Sequence, residues 1–353
     1  MLKKIGKKAA METVFSFGYP FTLRYYKKRE ISEYNRRQGE KMKVVVFGAG
    51  ALGVYFGGRW LEAGHEVSFL VRERRKREIE EQGLFIHSVA GDYELDEPKL
   101  ILHPDEAGSC DLVLLSLKGY HLEQALPFLK LLVGQGARVL PLLNGIEHIY
   151  KLQDKLGEDA VLGGLAFIIA TLDEKGHVIH TSGQHDIVFG ALVSSQQEMC
   201  ESLYQMMEKS RMNAALSPAI IKSLWQKYMF ITAFSGVTTA ANLPIGRIRE
   251  QEETLQLFRS VLTEMKNLAN TFQVGLEEQD IEETMERIEG LPYEATSSMH
   301  QDRRKSLFLE VDHLQGGALR LAEQSMLELP YTAALYALIK PFESGVVSVA
   351  AKP

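Results

Sequence analysis

A glycine-rich turn, GAGALG at residues 48–53, constrains the fold more than any other stretch of this sequence. It directly follows a short β-branched run, KVVVF (43–47), and opens a helical stretch. In that context the spacing of Gly48, Gly50 and Gly53 predicts a βαβ unit that binds a dinucleotide. The glycines would make a tight turn, let the backbone approach a pyrophosphate and let the helix pack close to the strand. The N–H groups and the positive dipole end of the helix would then meet the phosphates.

Continuous apolar runs separated by helical stretches predict the rest of this domain. Strands that are apolar along their whole length, rather than alternating, indicate a parallel sheet covered by helices on both faces. The first runs after the glycine turn are EVSFLV (66–71), DLVLLSL (111–117) and ARVLPLL (137–143). The runs expected to complete the domain are VLGGLAFIIATL (161–172), GHVIHTSG (176–183) and DIVFGAL (186–192). The sequence therefore predicts an α/β fold that begins with a Rossmann-type, doubly wound domain at residues 42–205.

After about residue 195 the strand signals stop, and the remaining segments show helical periodicity. The helical segments are 196–212, 219–240, 254–272 and 306–325. An all-α helical C-terminal domain is therefore predicted at residues 206–345.

The charge distribution separates a basic head from an acidic body. Residues 1–41 carry eleven Lys and Arg against four Asp and Glu, a charge of +7, so the rest of the chain carries −13 to give the net charge of −6. An acidic body argues against nucleic acid as a partner. The head is interpreted as a basic N-terminal extension before a domain that starts at Met42, although a targeting segment or membrane-surface helix stays open. No apolar run is long enough to span a membrane, and two cysteines without a disulfide framework favour a cytoplasmic location.

The end of the second predicted strand indicates which dinucleotide is bound. An acidic residue there would bind the ribose 2′-hydroxyl of NAD(H), whereas an arginine would pair with the 2′-phosphate of NADP(H). The strand runs into Arg72, Glu73, Arg74 and Arg75. Glu73 keeps NAD(H) open, but three guanidinium groups outweigh it because guanidinium pairs well with phosphate. The sequence therefore predicts NADP(H).

Two polar residues follow predicted strands directly, at the edge where ligands of such sheets bind. Lys118 follows DLVLLSL, and Asn144 follows ARVLPLL. Each also has a plainer interpretation, because Asn is a common helix N-cap and a loop lysine is commonly solvated. A third residue, Lys227, lies inside the apolar helical segment SLWQKYMFITAFSG (223–236). It is either buried for a chemical purpose or reaches out to solvent from a helix edge.

Taken in order, these motifs resemble the ketopantoate reductase (2-dehydropantoate 2-reductase) family. The order is the glycine turn, a strand-end arginine, Lys118, Asn144-Gly145, a W-x-K helix, and SSM followed twelve residues later by a glutamate. The combination of LWQK (224–227) with SSMHQDRRKSLFLEVD (297–312) is the specific part. The resemblance implies a Rossmann domain followed by an all-helical domain, with the active site in the cleft between them. The implied reaction is the NADPH-dependent reduction of 2-dehydropantoate to pantoate, in pantothenate and coenzyme A biosynthesis.

The resemblance also implies roles for individual residues. Lys227 would be the general acid that protonates the alkoxide formed when NADPH delivers hydride to the C2 carbonyl. The cofactor would meet Gly48, Ala49, Gly50, Ala51, Leu52, Gly53, Arg72, Lys118, Asn144, Ala170 and Glu310. The substrate would meet Asn144, Lys227, Ser235 and Ser298. An apolar environment would lower the pKa of Lys227 and Glu310 would raise it, and the sequence does not decide between the two.

One helix face departs from the family pattern. Family members commonly carry substrate-binding asparagines four and eight residues after the lysine, where this chain has Ile231 and Ser235. Either other residues still hold 2-dehydropantoate, which is the favoured interpretation, or the protein reduces a different, less polar 2-oxo acid. A non-catalytic NADPH-binding protein is a third interpretation, which the presence of Lys227, Ser298 and Glu310 disfavours.

No metal site is predicted. His177, His180 and His185 lie close in sequence, but side chains three apart on a strand point to opposite faces. The predicted partner is a small-molecule 2-oxo acid. Pairing into a homodimer through the helical domain stays open, because no apolar stripe marks an interface.

Overall fold

The computed structural model describes residues 41–345, so the predicted basic extension lies outside the described residues apart from Lys41. The strands of the described range are β1 (Lys43–Phe47), β2 (Glu66–Leu70), β3 (Phe85–Ser88), β4 (Tyr93–Glu94), β5 (Lys99–Ile101), β6 (Leu112–Leu115), β7 (Arg138–Pro141), β8 (Gly163–Leu172), β9 (Val178–Gly190) and β10 (Asn213–Leu216). Its α-helices are α1 (Ala51–Glu62), α2 (Glu73–Gln82), α3 (Leu122–Gly134), α4 (Glu147–Leu156), α5 (Gln197–Met207), α6 (Ile220–Ala241), α7 (Ile245–Arg249), α8 (Glu252–Thr271), α9 (Glu278–Gly290), α10 (Ser298–Arg304), α11 (Gly317–Gln324) and α12 (Pro330–Ile339).

The first sheet has the strand order β5-β2-β1-β6-β7, and all of its pairings are parallel. Its strands are buried on both faces because a separate core lies on each side. Val46 of β1 packs in one core with Trp60 of α1, whereas Val45 packs in the other with Leu129 of α3. The continuous apolar strands thus correspond to a sheet covered on both faces. The predicted α/β, doubly wound architecture is confirmed.

A second sheet follows, and the sequence did not predict it. The apolar runs at 161–172, 176–183 and 186–192, which were expected to complete the domain, do not join the parallel sheet but build a separate one. The last two runs form a single strand, β9, which pairs antiparallel with β8 and parallel with β3 and β10. β10 also lies beyond residue 195, where no strand was expected. The β8–β9 pairing is a hairpin between neighbouring segments, but the pairings of β9 with β3 and β10 join segments farther apart in sequence, so local patterns do not mark them.

The described residues after β10 are helical and pack around α6. Because α6 is apolar on nearly all sides, it needs neighbours all round, which α8, α10, α12 and β8 provide. A π-helical turn at Asp312–Gly316 precedes α11. Such turns are frequent at functional sites. The exact division into domains at residues 42–205 and 206–345 stays a prediction. No helix of the described residues is long and apolar enough to cross a membrane.

Candidate active site

The glycine turn between β1 and α1 has the geometry that dinucleotide binding needs. Gly48 has a φ of +109°, and a Cβ there would lie 2.9 Å from the carbonyl oxygen of Ser116. A Cβ on Gly53 would collide with the Gly48 carbonyl oxygen, so α1 approaches the turn as closely as only glycine allows. At Gly50, by contrast, nothing lies within 4 Å of the Cβ position. The open backbone at this helix N-terminus fits a pyrophosphate.

Arg72 lies at the edge of the sheet where β2 and β6 end. Its Nη2 lies 3.2 Å from His121 Nδ1 and donates to Gln124 Oε1 at 3.3 Å. Both of these residues follow β6 in the chain. Burial and the Arg72 charge lower the pKa of His121, which keeps the imidazole neutral beside the guanidinium. Arg72 is therefore positioned by its neighbours rather than free in solvent.

The other two arginines of this segment have different partners. Arg75 donates through Nε to the Ala49 carbonyl at 3.1 Å and through Nη2 to the Gly176 carbonyl at 2.7 Å. It thereby ties the glycine turn to the loop between β8 and β9. Arg74 pairs with Glu78 on the exposed face of α2. Of the three arginines, Arg75 is thus committed to backbone carbonyls, whereas Arg72 lies at the end of β2 and Arg74 is exposed in the first turn of α2.

Lys118 joins the sheet to the helical part of the molecule. Its Nζ lies 3.0 Å from Asp302 Oδ2 and 3.0 Å from Glu310 Oε2, and Glu310 Oε1 accepts from the Gly119 N–H at 3.0 Å. Burial would lower the pKa of Lys118, but the two carboxylates outweigh it and raise the pKa. Burial would likewise raise the pKa of Glu310, but Lys118 and His313 lower it. Both groups are charged, and Lys118, although its side chain is 41% exposed, is held by two carboxylates rather than by solvent alone.

Asn144 lies in the loop between β7 and α4. The N-cap of α4 is Ile146, so the interpretation of Asn144 as an ordinary N-cap is wrong. The Asn144 carbonyl accepts a hydrogen bond from His313 Nε2 at 2.7 Å, which means that this nitrogen carries a proton. The His313 ring also lies so close to Gly119 that a Cβ on the glycine would collide with it. His313 thus brings Asn144 to the same interface that Lys118 forms.

Lys227 is buried on α6, with 9% of its surface exposed. Its Nζ donates to the Ala166 carbonyl of β8 at 2.8 Å and lies 5.4 Å from the centre of the Phe167 ring. Burial lowers the pKa of Lys227 to about 8, against an opposing effect of the Glu310 carboxylate. Burial therefore outweighs Glu310, which answers the question that the sequence left open. The ammonium does not reach out to solvent from a helix edge.

These side chains form what we call the interdomain seam. Its members are Lys118, Asn144, Lys227, Glu310 and His313. On one side the ring of Tyr120, which follows Gly119, packs 4.7 Å from the ring of Phe308. The seam combines a fixed cation, Lys118, with an amine that titrates near neutral pH, Lys227. The charge of Lys118 is balanced by Asp302 and Glu310, so it is Lys227 that can stabilise negative charge developing on an oxygen and then protonate that oxygen.

The other predicted site residues make no hydrogen bond to the seam among the described residues. Ala170 lies on β8, partly buried and beside a bulge. Ile231 and Ser235 follow Lys227 along α6, where Ile231 packs against the apolar core and Ser235 is buried. Ser298 is exposed in the first turn of α10, and its neighbour Ser297 is the residue that caps this helix.

Three polar residues at the seam were not predicted from the sequence. They are Asp302, His313 and His148. His313 could have been found, since it lies three residues after Glu310 on a helical stretch and such residues share a face. His148 lies four residues after Asn144 and is completely buried. A buried histidine leaves no pattern in a single sequence.

An ion pair between a buried carboxylate and a partly exposed guanidinium clamps the two parts of the molecule together next to the seam. Arg320 of α11 donates to both carboxylate oxygens of Glu147 on α4, each at 2.8 Å. The same guanidinium lies 3.3 Å from Asp312. Burial would raise the pKa of Glu147, but Arg320 and Lys151 lower it. Glu147 therefore stays ionised in spite of its burial.

The histidines of β9 have protein partners. His180 contacts the Ser88 hydroxyl through Nδ1 and the Gln184 carbonyl through Nε2, and Tyr55 is hydrogen-bonded to His185 Nδ1 at 2.6 Å. Within residues 41–345 no group of three or more side chains that could hold a metal ion was found.

Two family models match most of this chain. The description "Ketopantoate reductase PanE/ApbA" covers residues 44–194, and "Ketopantoate reductase PanE/ApbA C terminal" covers residues 219–343. The "Uncharacterized oxidoreductase YkpB" of Bacillus subtilis is 33% identical over 303 residues, which is 86% of this chain and 99% of that protein.

Solved structures show the same architecture. The crystal structure of 2-dehydropantoate 2-reductase from Geobacter metallireducens has a TM-score of 0.78 at 25% identity and covers 85% of this chain and 99% of its own. A ternary structure of D-mandelate dehydrogenase with NADH and anilino(oxo)acetate has a TM-score of 0.76 at 23% identity, covering 86% and 98% of the two chains. The second likeness concerns the fold alone.

Proposed function

Because the chain belongs to the ketopantoate reductase family and is an oxidoreductase that acts on CH–OH groups, we propose that it reduces 2-dehydropantoate, a 2-oxo acid, with NADPH. The observation that carries this proposal is Lys227. A buried amine whose pKa is lowered to about 8 lies at the seam between the glycine-turn sheet and the helices. Such an amine is suited to donate a proton near neutral pH, which an ordinary lysine does poorly.

The residues of the seam would manage the charge of the reaction. A bound nicotinamide would supply hydride to the C2 carbonyl carbon. As that bond forms, the carbonyl π electrons move to oxygen, and the Lys227 ammonium stabilises the developing alkoxide. Lys227 then gives this oxygen a proton, so the ketone becomes a CH–OH group and the amine is left neutral. The hydrogen bond to the Ala166 carbonyl would hold Nζ in place for the transfer.

NADPH is proposed over NADH because of Arg72. A guanidinium held by His121 and Gln124 at the end of β2 suits the additional 2′-phosphate of NADPH. The open face at Gly50 supports pyrophosphate binding at the same edge. The fold alone does not choose the cofactor, because the D-mandelate dehydrogenase of the same fold was solved with NADH.

A less polar 2-oxo acid is a second candidate substrate, and Ile231 favours it. This side chain lies one turn after Lys227, packs against the apolar core and has no hydrogen-bonding group. A site that had relied on an asparagine there would lose one polar contact to its substrate. The reaction class would be the same for both substrates.

The test is a screen of purified protein for NADPH oxidation with a panel of 2-oxo acids. We expect the highest kcat/KM with 2-dehydropantoate. A higher value with an apolar 2-oxo acid would establish the second candidate, and no turnover with any 2-oxo acid would contradict both. In the same assay Lys227→Ala should lower kcat by about 10²–10⁴-fold if Lys227 is the acid.

The matched control is Lys222→Ala. Lys222 lies on the same helix, but its amine is partly exposed and lies 3.6 Å from Asp280, away from the seam. We expect this variant to keep wild-type turnover. Equal losses in the two variants would mean that α6 tolerates no alanine rather than that Lys227 donates a proton.

A further inference from the structure

His148 is a buried imidazole without a hydrogen bond. The residue is 0% exposed, and neither ring nitrogen has a hydrogen-bond partner among the described residues. It lies in the first turn of α4, four residues after Asn144. Buried polar groups in folded proteins almost always have a partner, and those that lack one need an explanation. Here the position beside the seam suggests that the partner is a ligand.

Two titratable groups face His148 from other elements. The His313 ring centroid lies 5.7 Å away, and Lys227 is close enough to act electrostatically on the imidazole. Burial, followed by these two groups, lowers the pKa of His148 well below its usual value. The ring is therefore neutral, with one nitrogen that donates and one that accepts. A neutral imidazole is suited to a hydroxyl group, which also donates and accepts.

Most other polar groups of the seam already have a partner or a predicted role, and the Asn144 side chain is among the predicted substrate contacts. Glu310 is held by Lys118 and Gly119, and His313 Nε2 is held by the Asn144 carbonyl. Lys227, as the proposed proton donor, would be committed to the C2 oxygen. Of the polar residues that surround the seam, His148 is thus free to contact a second polar group of the substrate. The neighbouring α6 position, Ile231, has no such capacity.

We propose that His148 is a specificity-determining residue that hydrogen-bonds a hydroxyl group of the 2-oxo acid substrate. This rests on the proposed reduction of a 2-oxo acid and adds that the substrate carries a hydroxyl beyond its C2 carbonyl and carboxylate. His148 would supply, from α4, the polar contact that Ile231 does not supply from α6.

The experiment compares two substrates that differ by one oxygen atom. 2-Dehydropantoate is 4-hydroxy-3,3-dimethyl-2-oxobutanoate, and 3,3-dimethyl-2-oxobutanoate has the same skeleton without the hydroxyl. We expect wild-type protein to prefer the hydroxylated acid in kcat/KM. His148→Leu should lower that preference by about 5–150-fold, the range for one lost hydrogen bond to a buried group. Its KM for NADPH and its kcat/KM for the deoxy acid should stay near the wild-type values.

Two further variants support the comparison. His148→Gln, which keeps a donor and an acceptor, should restore part of the preference. His65→Leu is the matched control, because His65 precedes β2 at the opposite edge of the sheet, and this variant should keep the full preference. If His148→Leu does not fold, His148→Met serves as the apolar variant, since methionine fills irregular space.

Equal losses for both acids in the apolar variant would overturn the inference, because they would show a structural role for the ring or for a water bound to it. An unchanged preference would overturn it as well. In both cases wild-type turnover would leave the proposed reductase function standing. Wild-type protein that reduces neither acid would end the proposed function, and the inference with it.

Discussion

Replacing Lys227 by methionine should make the protein more stable at neutral pH while it abolishes turnover. Methionine has nearly the same length and volume as lysine but carries no charge, so it fits an apolar site without desolvating an ammonium. In the folded protein the pKa of Lys227 is lowered to about 8, whereas an unfolded chain has the usual value near 10.5. The folded state therefore binds the proton less tightly than the unfolded state does, and this costs stability.

The size of the effect follows from the pKa difference. A difference of about 2.5 pKa units corresponds to about 3 kcal/mol of lost stability at pH 7. Methionine also loses the hydrogen bond to the Ala166 carbonyl, which costs about 1 kcal/mol. The net gain for Lys227→Met is therefore about 2 kcal/mol, or roughly 3 °C in Tm for a chain of this length.

The sign of the pH dependence is fixed by the same difference. The penalty of the wild-type lysine is fully present below pH 8 and disappears as the pH rises toward 10.5, because the unfolded chain then also loses the proton. The advantage of the variant should shrink above pH 8 and change sign at about pH 9–10, where only the lost hydrogen bond remains. Thermal unfolding of both proteins is measured from pH 6 to pH 10 in steps of about one pH unit. Because the other titratable groups are the same in both proteins, their contributions cancel in the stability difference.

Lys222→Met is the control, because Lys222 lies on the same helix but its amine is partly exposed and 3.6 Å from Asp280. The reasoning about Lys227 would be refuted if its methionine variant were less stable than wild type at pH 7. It would also be refuted by a stability difference that stays constant up to pH 10. Either result would show that the ammonium is not desolvated in the folded protein.

Three further predictions concern the cofactor side and the interdomain clamp. Gly53→Ala should destabilise the protein by about 3 kcal/mol in thermal unfolding, because the new Cβ would collide with the backbone. Gly50→Ala should fold normally, because its Cβ position is open, but should weaken NADPH binding in a fluorescence titration. Arg72→Ala should raise the KM for NADPH about 10–100-fold and leave that for NADH nearly unchanged, as steady-state kinetics will show. Glu147→Gln should lower stability by about 1–3 kcal/mol at pH 7, a modest value because Arg320 is partly exposed. Since the pKa of Glu147 is lowered, that difference should fade as the pH falls below the usual carboxyl range, which unfolding at low pH can check.

Local sequence patterns were sufficient for the glycine turn and for four of the five strands of the first sheet. The runs of β1, β2, β6 and β7 were predicted, and their parallel arrangement follows from burial on both faces, whereas the three-residue edge strand β5 was missed. The second sheet was beyond such patterns because β9 pairs not only with its hairpin neighbour β8 but also with β3 and β10, which lie farther away in the sequence. The residues of one apolar run do not predict which distant run will be its partner in the sheet.

The same limit applies to the site. Arg72 and Arg75 are both arginines and lie three residues apart. Arg72 nevertheless faces the edge of the sheet, whereas Arg75 donates hydrogen bonds to the Ala49 and Gly176 carbonyls. Side-chain direction here depends on a loop about a hundred residues away, which no spacing rule describes. Asn144 and Lys118 were found because strand ends are predictable, whereas His148 was missed because its burial depends on tertiary packing.

The two lysines of the seam differ in the direction of their pKa shifts because they lie at different distances from the Glu310 carboxylate. Glu310 lies 3.0 Å from Lys118 and accepts from the Gly119 N–H, so its charge is committed to the sheet side of the seam. Lys118 therefore stays charged at physiological pH, held between the Asp302 and Glu310 carboxylates. Lys227 receives only the long-range part of the Glu310 charge, and burial lowers its pKa to about 8. Environments that push the pKa values of two like groups apart separate a permanent cation from a proton donor. If Lys118 and Glu310 were both made neutral, Lys227 would lose the one contribution that raises its pKa, and the pH above which kcat declines should fall further.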